Sequence, residues 1–199
     1  MSATTTRRVT EGPEASARLL DAADELFYRD GIRAVGVDAI VKQAGVNKMS
    51  LYRQFSSKDE LVRHYFLRAD TRFWTAIERS IAKHPDNAAA ALQQIYTDLA
   101  QRAVVAGYRG CPFVNMAAEF TEPSHFVRQL VAQNKRQLLA RLEELATQAG
   151  ASQPLALAQA LALLLEGAYA ASQSYDPPDA VLTALPEVAR QLIGLALQH

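Results

Sequence analysis

Between Val37 and Phe55 two short apolar-patterned runs meet at a single glycine, Gly45, and no other feature constrains the fold of this chain as much. The first run carries Val37, Ile40 and Val41, the second Val46, Leu51 and Phe55. Helices this short are not stable alone, so neighbouring helices must brace them. Gly45 supplies the positive φ that a sharp turn between two helices requires. The outer face of the second helix is then expected to show Asn47, Lys48, Met49, Ser50, Tyr52 and Arg53. That mixture suits a DNA groove: cations for phosphate and guanine, hydroxyls for phosphate oxygens, a methionine methyl for thymine. The 199 residues balance 21 basic against 21 acidic side chains, which excludes a uniformly basic coat. Residues 40–70 nevertheless hold six basic residues (Lys42, Lys48, Arg53, Lys58, Arg63, Arg68) against Asp59, Glu60 and Asp70.

Elsewhere apolar residues recur at helical spacing and the alternation expected of strands is scarce, so the expected fold is all-α. The pattern predicts helices over residues 14–29, 37–43, 47–55, 57–83, 87–105, 112–120, from about 122 to 149, 154–173 and 181–197. Ser57 or Ser56 caps the fourth, with acidic residues in its first turn. The run 155–171 is apolar nearly all round and reads as a buried helix. Gln159 and Glu166 interrupt it, against the ~20 nearly uninterrupted apolar residues of a membrane span. Residues 1–12 lack the apolar stretch of a secretory signal, and the single Cys111 allows no intrachain disulfide. The expected location is a prokaryotic cytoplasm, at the nucleoid when bound to DNA.

Residues 31–62 resemble the DNA-binding domain of TetR/AcrR-type regulators. The resemblance rests on Gly45-Val46-Asn47-Lys48, Leu51-Tyr52-Arg53-Gln54-Phe55 and Lys58-Asp59-Glu60-Leu61. It implies a flexible arm (1–12), a three-helix helix-turn-helix domain (13–73, motif about 36–55) and a six-helix ligand-binding and dimerisation domain (74–199). It also implies a homodimer on a palindromic operator in double-stranded DNA, acting as a repressor released by a small, largely apolar effector. Carried onto this sequence, Lys48, Met49 and Ser50 become base or phosphate contacts, and Tyr52 a phosphate contact. Gly36, Val37, Lys42, Asn47 and Arg53 join that interface, and Lys58 meets a phosphate with the positive end of its helix. Val35-Gly36 stands where the family has a hydroxyl pair, and Ala39 where it often has an acid. Taken singly, each cation also fits a plain solvated face and Tyr52 a half-buried core position. A helical ligand-binding or adaptor protein that has lost DNA binding is the alternative function.

In the C-terminal part, Phe73, Trp74, Tyr96, Phe113, Phe120 and Tyr169 could line an apolar ligand pocket or form plain core. Asn115 and Glu119 stand four apart on one helix face and could bond a ligand or each other. Glu166, if buried, needs a partner. The dimer is expected through Leu161, Leu164, Leu165, Ala168 and residues 192–195. No catalysis, cofactor or metal is expected. His64, His84, His125 and His199 do not fall at metal-ligand spacing, and no nucleophile elbow, phosphate loop or dinucleotide fingerprint is present. Cys111 has no cationic cluster beside it in sequence and reads as inert packing.

Overall fold

The computed structural model describes residues 12–175 and 180–198. Among them are ten α-helices and no strand. They divide into two compact units between residues 67 and 68. Helix α4 (Lys58–Ile81) gives residues 58–67 to the first unit and 68–81 to the second. The expected arm lies outside the described residues apart from Gly12.

In the first unit, α1 (Gly12–Asp30) buries Leu19, Ala22, Ala23, Leu26 and Phe27, a stripe at helical spacing. Against it lie α2 (Val37–Ala44) and α3 (Lys48–Gln54), anchored by the fully buried Ile40 and Leu51. Gly45 stops α2 with φ 65°. Its N–H donates to the Lys42 carbonyl at 3.2 Å and that of Val46 to Val41 at 3.1 Å, which satisfies two carbonyls of the helix end. Asn47 starts α3: its Oδ1 accepts the Ser50 N–H at 2.8 Å. At the start of α4 the capping is reciprocal. Ser57 Oγ accepts the Glu60 N–H, and the Glu60 carboxylate accepts the N–H and hydroxyl of Ser56.

Lys58, expected at a phosphate, is engaged within its own unit in the free protein. Its ammonium turns inward, donates to the Ile32 carbonyl at 2.6 Å and lies 6.0 Å from the centre of the Phe27 ring. A half-buried ammonium needs an acceptor, and this carbonyl supplies one, so the side chain ties the α1–α2 turn to the start of α4. Lys58→Met should therefore lower the stability of this unit by about 1.5–3 kcal/mol, the usual worth of a hydrogen bond to a charged group. Thermal unfolding without DNA reads the effect; an unchanged midpoint would mean that the bond contributes nothing.

The second unit contains α5 (Ala88–Ala103), α6 (Pro112–Glu119), α7 (Phe126–Gln148), α8 (Pro154–Ala171), α9 (Ala180–Thr183) and α10 (Leu185–Ala196). Helices α5, α7, α8 and α10 enclose its core: α7 and α10 each pack on both α5 and α8, and α6 lies on α7. Leu99, Leu138, Leu142, Leu161 and Leu165 are all but fully buried there, each contributing about 1.5–3 kcal/mol. The end of α4 is tied to α5 through buried Asp98, which accepts from Ser80, Lys83 and Gln94 at 2.7–2.8 Å. Burial pushes the pKa of Asp98 up, but these donors outweigh it and hold the carboxyl below its ordinary value.

Three expectations change here. Helix α7 begins at Phe126 rather than Glu122, with His125 Nδ1 accepting the Val127 N–H; Pro123 biases Glu122 away from helical backbone. The last helix is two helices that break at Ala184, because Pro186 has no N–H with which to continue α9. Helix α8, long and apolar enough to cross a membrane, is not buried all round. Leu161, Leu165 and Ala168 face the core of their own chain, at 0%, 0% and 7% exposure, and cannot meet a partner. Leu195, within the expected 192–195 stretch, does face outward, as do Leu155 and Leu163 on α8 and Val188 on α10.

Candidate functional site

The helix-turn-helix presents a polar face held from behind. Leu51 and Phe55 are buried, whereas Met49 and Tyr52 of α3 are exposed to 65% and 48%. Asn47, Lys48 and Arg53 are exposed beside them, as are Gly36 and Lys42, while Val37, Ser50 and Lys58 are half-buried. Gly36 caps α2 without a side-chain hydrogen bond, and its carbonyl accepts the N–H groups of Ala39 and Ile40 at 3.1 and 3.4 Å. Lys48 Nζ stands 3.0 Å from Asp38 Oδ1, both exposed. That hydrogen bond and the carboxylate charge push the Lys48 pKa up, so the ammonium stays charged. Asp38 was not marked by the sequence pattern, in which it reads as an ordinary first-turn acid; the α2–α3 angle brings it to Lys48.

A cavity of about 650 Å³ opens between α6, α7 and α8 of the second unit. Its walls are Val114 and Ala117 from α6, Val131, Lys135, Leu138 and Leu139 from α7, and Gln159, Ala162, Leu163 and Glu166 from α8. Lys135 and Glu166 form an ion pair at 2.6 Å. The ammonium also lies 5.6 Å from the ring centre of Tyr169, 5.9 Å from Phe113 and 6.0 Å from Phe73, with Cys111 Sγ at 3.7 Å. Burial pushes the Cys111 thiol pKa up although Lys135 pulls the other way, which keeps the sulfur protonated and unreactive.

Of the nine ligand candidates, Glu166 alone is in the cavity wall, and Phe73, Phe113 and Tyr169 are joined to it through Lys135. The others are elsewhere. Tyr96 is core: fully buried, its hydroxyl donates to the Leu161 carbonyl at 2.7 Å. Phe120 stacks on His125 at 4.4 Å. Trp74 meets Phe73 edge to face and borders a separate cleft with Asp70, Gln137 and Arg141. Asn115 does not bond Glu119; it donates to the Arg109 carbonyl and accepts from Gln173, which pins the turn before α6. Glu119 is outside the cavity lining. Lys135 is the residue that sequence reasoning missed, since the charges of α7 give no sign of which one turns inward.

Residues 19–65 match the family described as bacterial regulatory proteins, tetR family, and residues 87–188 match the tetracyclin repressor-like C-terminal domain. The HTH-type transcriptional regulator Rv1255c of Mycobacterium tuberculosis is 35% identical over 43% of this chain. The HTH-type transcriptional activator FasR of Mycolicibacterium smegmatis is 36% identical over 37% of it. Those matches span only 42% and 34% of the relatives' own lengths. The fold matches that of reduced Escherichia coli NemR, at 20% identity over 89% of this chain and 96% of that one, with a TM-score of 0.74. SCO4454, a TetR-family transcriptional regulator from Streptomyces coelicolor, is 31% identical over 94% of this chain and 97% of its own, with a TM-score of 0.89. With both units matched and that likeness running nearly end to end, the chain belongs to the TetR family of bacterial regulatory proteins.

Proposed function

We propose that the protein regulates transcription by binding double-stranded DNA through α3 and the start of α2, as a homodimer on a palindromic operator. The proposal includes operator release, and so relief of repression, when a small, largely apolar effector occupies the α6–α8 cavity. The observation that carries the DNA reading is the exposed Lys48, Met49, Tyr52 and Arg53 face on a helix capped by Asn47 and anchored by Leu51. Met49 and Tyr52 are large apolar-bodied side chains left in water, and bases and sugars are what such groups pack on. A soluble DNA-binding role puts the protein in the cytoplasm.

The test is selection of bound duplexes from a random pool, followed by titration of variants. Lys48→Ala should change preference among the selected sequences, with about a 5- to 150-fold loss on the favoured one, corresponding to ~1–3 kcal/mol for a base contact. Tyr52→Phe should weaken all sequences alike, as the loss of a phosphate contact does. Wild-type affinity and preference in both variants, with folding intact, would sink the interface. For the effector, operator and ligand must weaken each other by one common factor, typically ~5–150-fold.

A further inference from the structure

We propose that the α6–α8 cavity selects an uncharged apolar molecule carrying one hydroxyl or amide hydrogen-bond donor, received by the carboxylate of Glu166. This rests on the effector reading above and narrows it to a chemical class. The cavity is apolar along Val114, Val131, Leu138 and Leu163, and its volume of about 650 Å³ falls within the usual range for a small-molecule site. Its charged groups are Lys135 and Glu166, paired at 2.6 Å, so the lining is neutral overall. The ammonium is already surrounded: Glu166 Oε1, Cys111 sulfur and three aromatic rings occupy its neighbourhood. Glu166 meets Lys135 through Oε1, and because a carboxylate offers about four lone-pair sites over its two oxygens it keeps accepting capacity at the cavity wall.

Charge balance then discriminates between ligands. A carboxylate entering here would share Lys135 with Glu166 and face that like charge across a wall of low polarity. An ammonium would reach Glu166 but lie beside Lys135. A neutral donor meets neither repulsion, and its bond to a carboxylate is of the stronger, charge-assisted kind. The ion pair thus serves as a filter: it cancels the charge that would recruit ions and leaves Glu166, beside the neutral amide of Gln159, as the charged acceptor in an otherwise apolar wall.

The experiment titrates the full-length protein by calorimetry with four eight-carbon probes: 1-octanol, octyl methyl ether, octanoate and octylammonium. 1-Octanol should bind at least about ten-fold tighter than the ether, the fold-change expected for a hydrogen bond to a charged group, and tighter than either ion. The double substitution Lys135→Met/Glu166→Leu should bring alcohol and ether level. Glu166→Gln should raise octanoate above its wild-type affinity, because Lys135 then lacks its carboxylate. Ala162→Phe should block all four probes. Circular dichroism confirms folding of each variant, and Glu166→Gln keeps the test open where the double variant does not fold. The class is overturned if either ion binds the wild type as tightly as octanol, if octanol keeps its advantage in the double variant, or if no probe binds. Anisotropy of a labelled operator, followed in the same titrations, separates the two ideas. Octanol binding in the expected order without operator release leaves the class standing and removes the effector role; release by a charged probe alone does the reverse.

Discussion

Alanine at position 110 should destabilise the second unit by about 3 kcal/mol, the sum of two separate costs. Gly110 has φ 68°, a left-handed backbone that costs a residue with a Cβ about 1–2 kcal/mol. The second cost is contact. A Cβ there would stand 2.8 Å from the Tyr169 carbonyl oxygen and 3.1 Å from Gln173 Nε2. The nearer atom is α8 backbone, which cannot swing away as a flexible side chain would, and forced overpacking adds about 1–3 kcal/mol. The thermal midpoint should fall by about 6–12 °C, at the ~2–4 °C per kcal/mol expected of proteins this size. Gly107 separates the two costs, because it shares the left-handed backbone (φ 81°) but has open space around its missing Cβ. Gly107→Ala should therefore lower the midpoint by only about 2–8 °C, the share of the backbone cost of about 1–2 kcal/mol alone. Equal shifts would show that the close approach of the 110 turn to α8 costs nothing. The consequence reaches the cavity, since Gly110 leads into Cys111 and Pro112 at the start of α6, whose Val114 and Ala117 form one wall.

What could be read from the sequence follows from how local each cause is. Gly45, Asn47 and the Ser57–Glu60 cap act within a few residues of themselves, and their roles follow from chain order. The cavity depends on contacts made across three helices. Lys135 is one of several cations on α7 and is distinguished only by meeting Glu166 of α8 and the rings of Phe73, Phe113 and Tyr169. Aromatic composition pointed to Trp74 and Tyr96, but an aromatic ring stabilises any apolar environment it enters, so its presence does not say which cavity it lines. Lys58 shows the same dependence on distant contacts. Its place at a helix start gives no sign of the acceptor it meets in the free protein, the Ile32 carbonyl, far from it in sequence. Helix α8 misled for a third reason: a nearly uniform apolar surface carries no periodicity to tell its inner face from its outer one. Leu161 and Leu163 are alike in sequence, yet one is fully buried and the other 74% exposed.

That last pair leads to the largest functional effect expected. Under the dimer proposal, glutamate at both Val188 and Leu195 should convert a two-chain particle into single chains and remove specific operator binding. The two residues are 38% and 67% exposed on α10. Val188 borders an apolar groove of about 760 Å³ formed with α8 and α9, in which Leu164, Val181 and Leu185 also take part. Under the dimer proposal this apolar groove and the exposed Leu163, Val188 and Leu195 beside it form the contact face, and a charge placed there would be buried without a partner on association. Within one chain the same charges stay solvated, so folding should change by less than about 0.5 kcal/mol per site. Neither residue lines the α6–α8 cavity or belongs to the helix-turn-helix, which keeps the outcome specific to assembly. A single helix-turn-helix reads one half-site, and the two-fold dimer joins two of them one DNA turn apart. Without it, affinity should fall toward the non-specific level, a loss of at least ~1,000-fold. Light scattering at micromolar concentration and operator titration give the two readings. A wild-type mass of one chain would refute the dimer outright. A two-chain mass in the double variant would move the interface away from this face of α10, and operator binding that survived in a proven monomer would break the link between assembly and recognition.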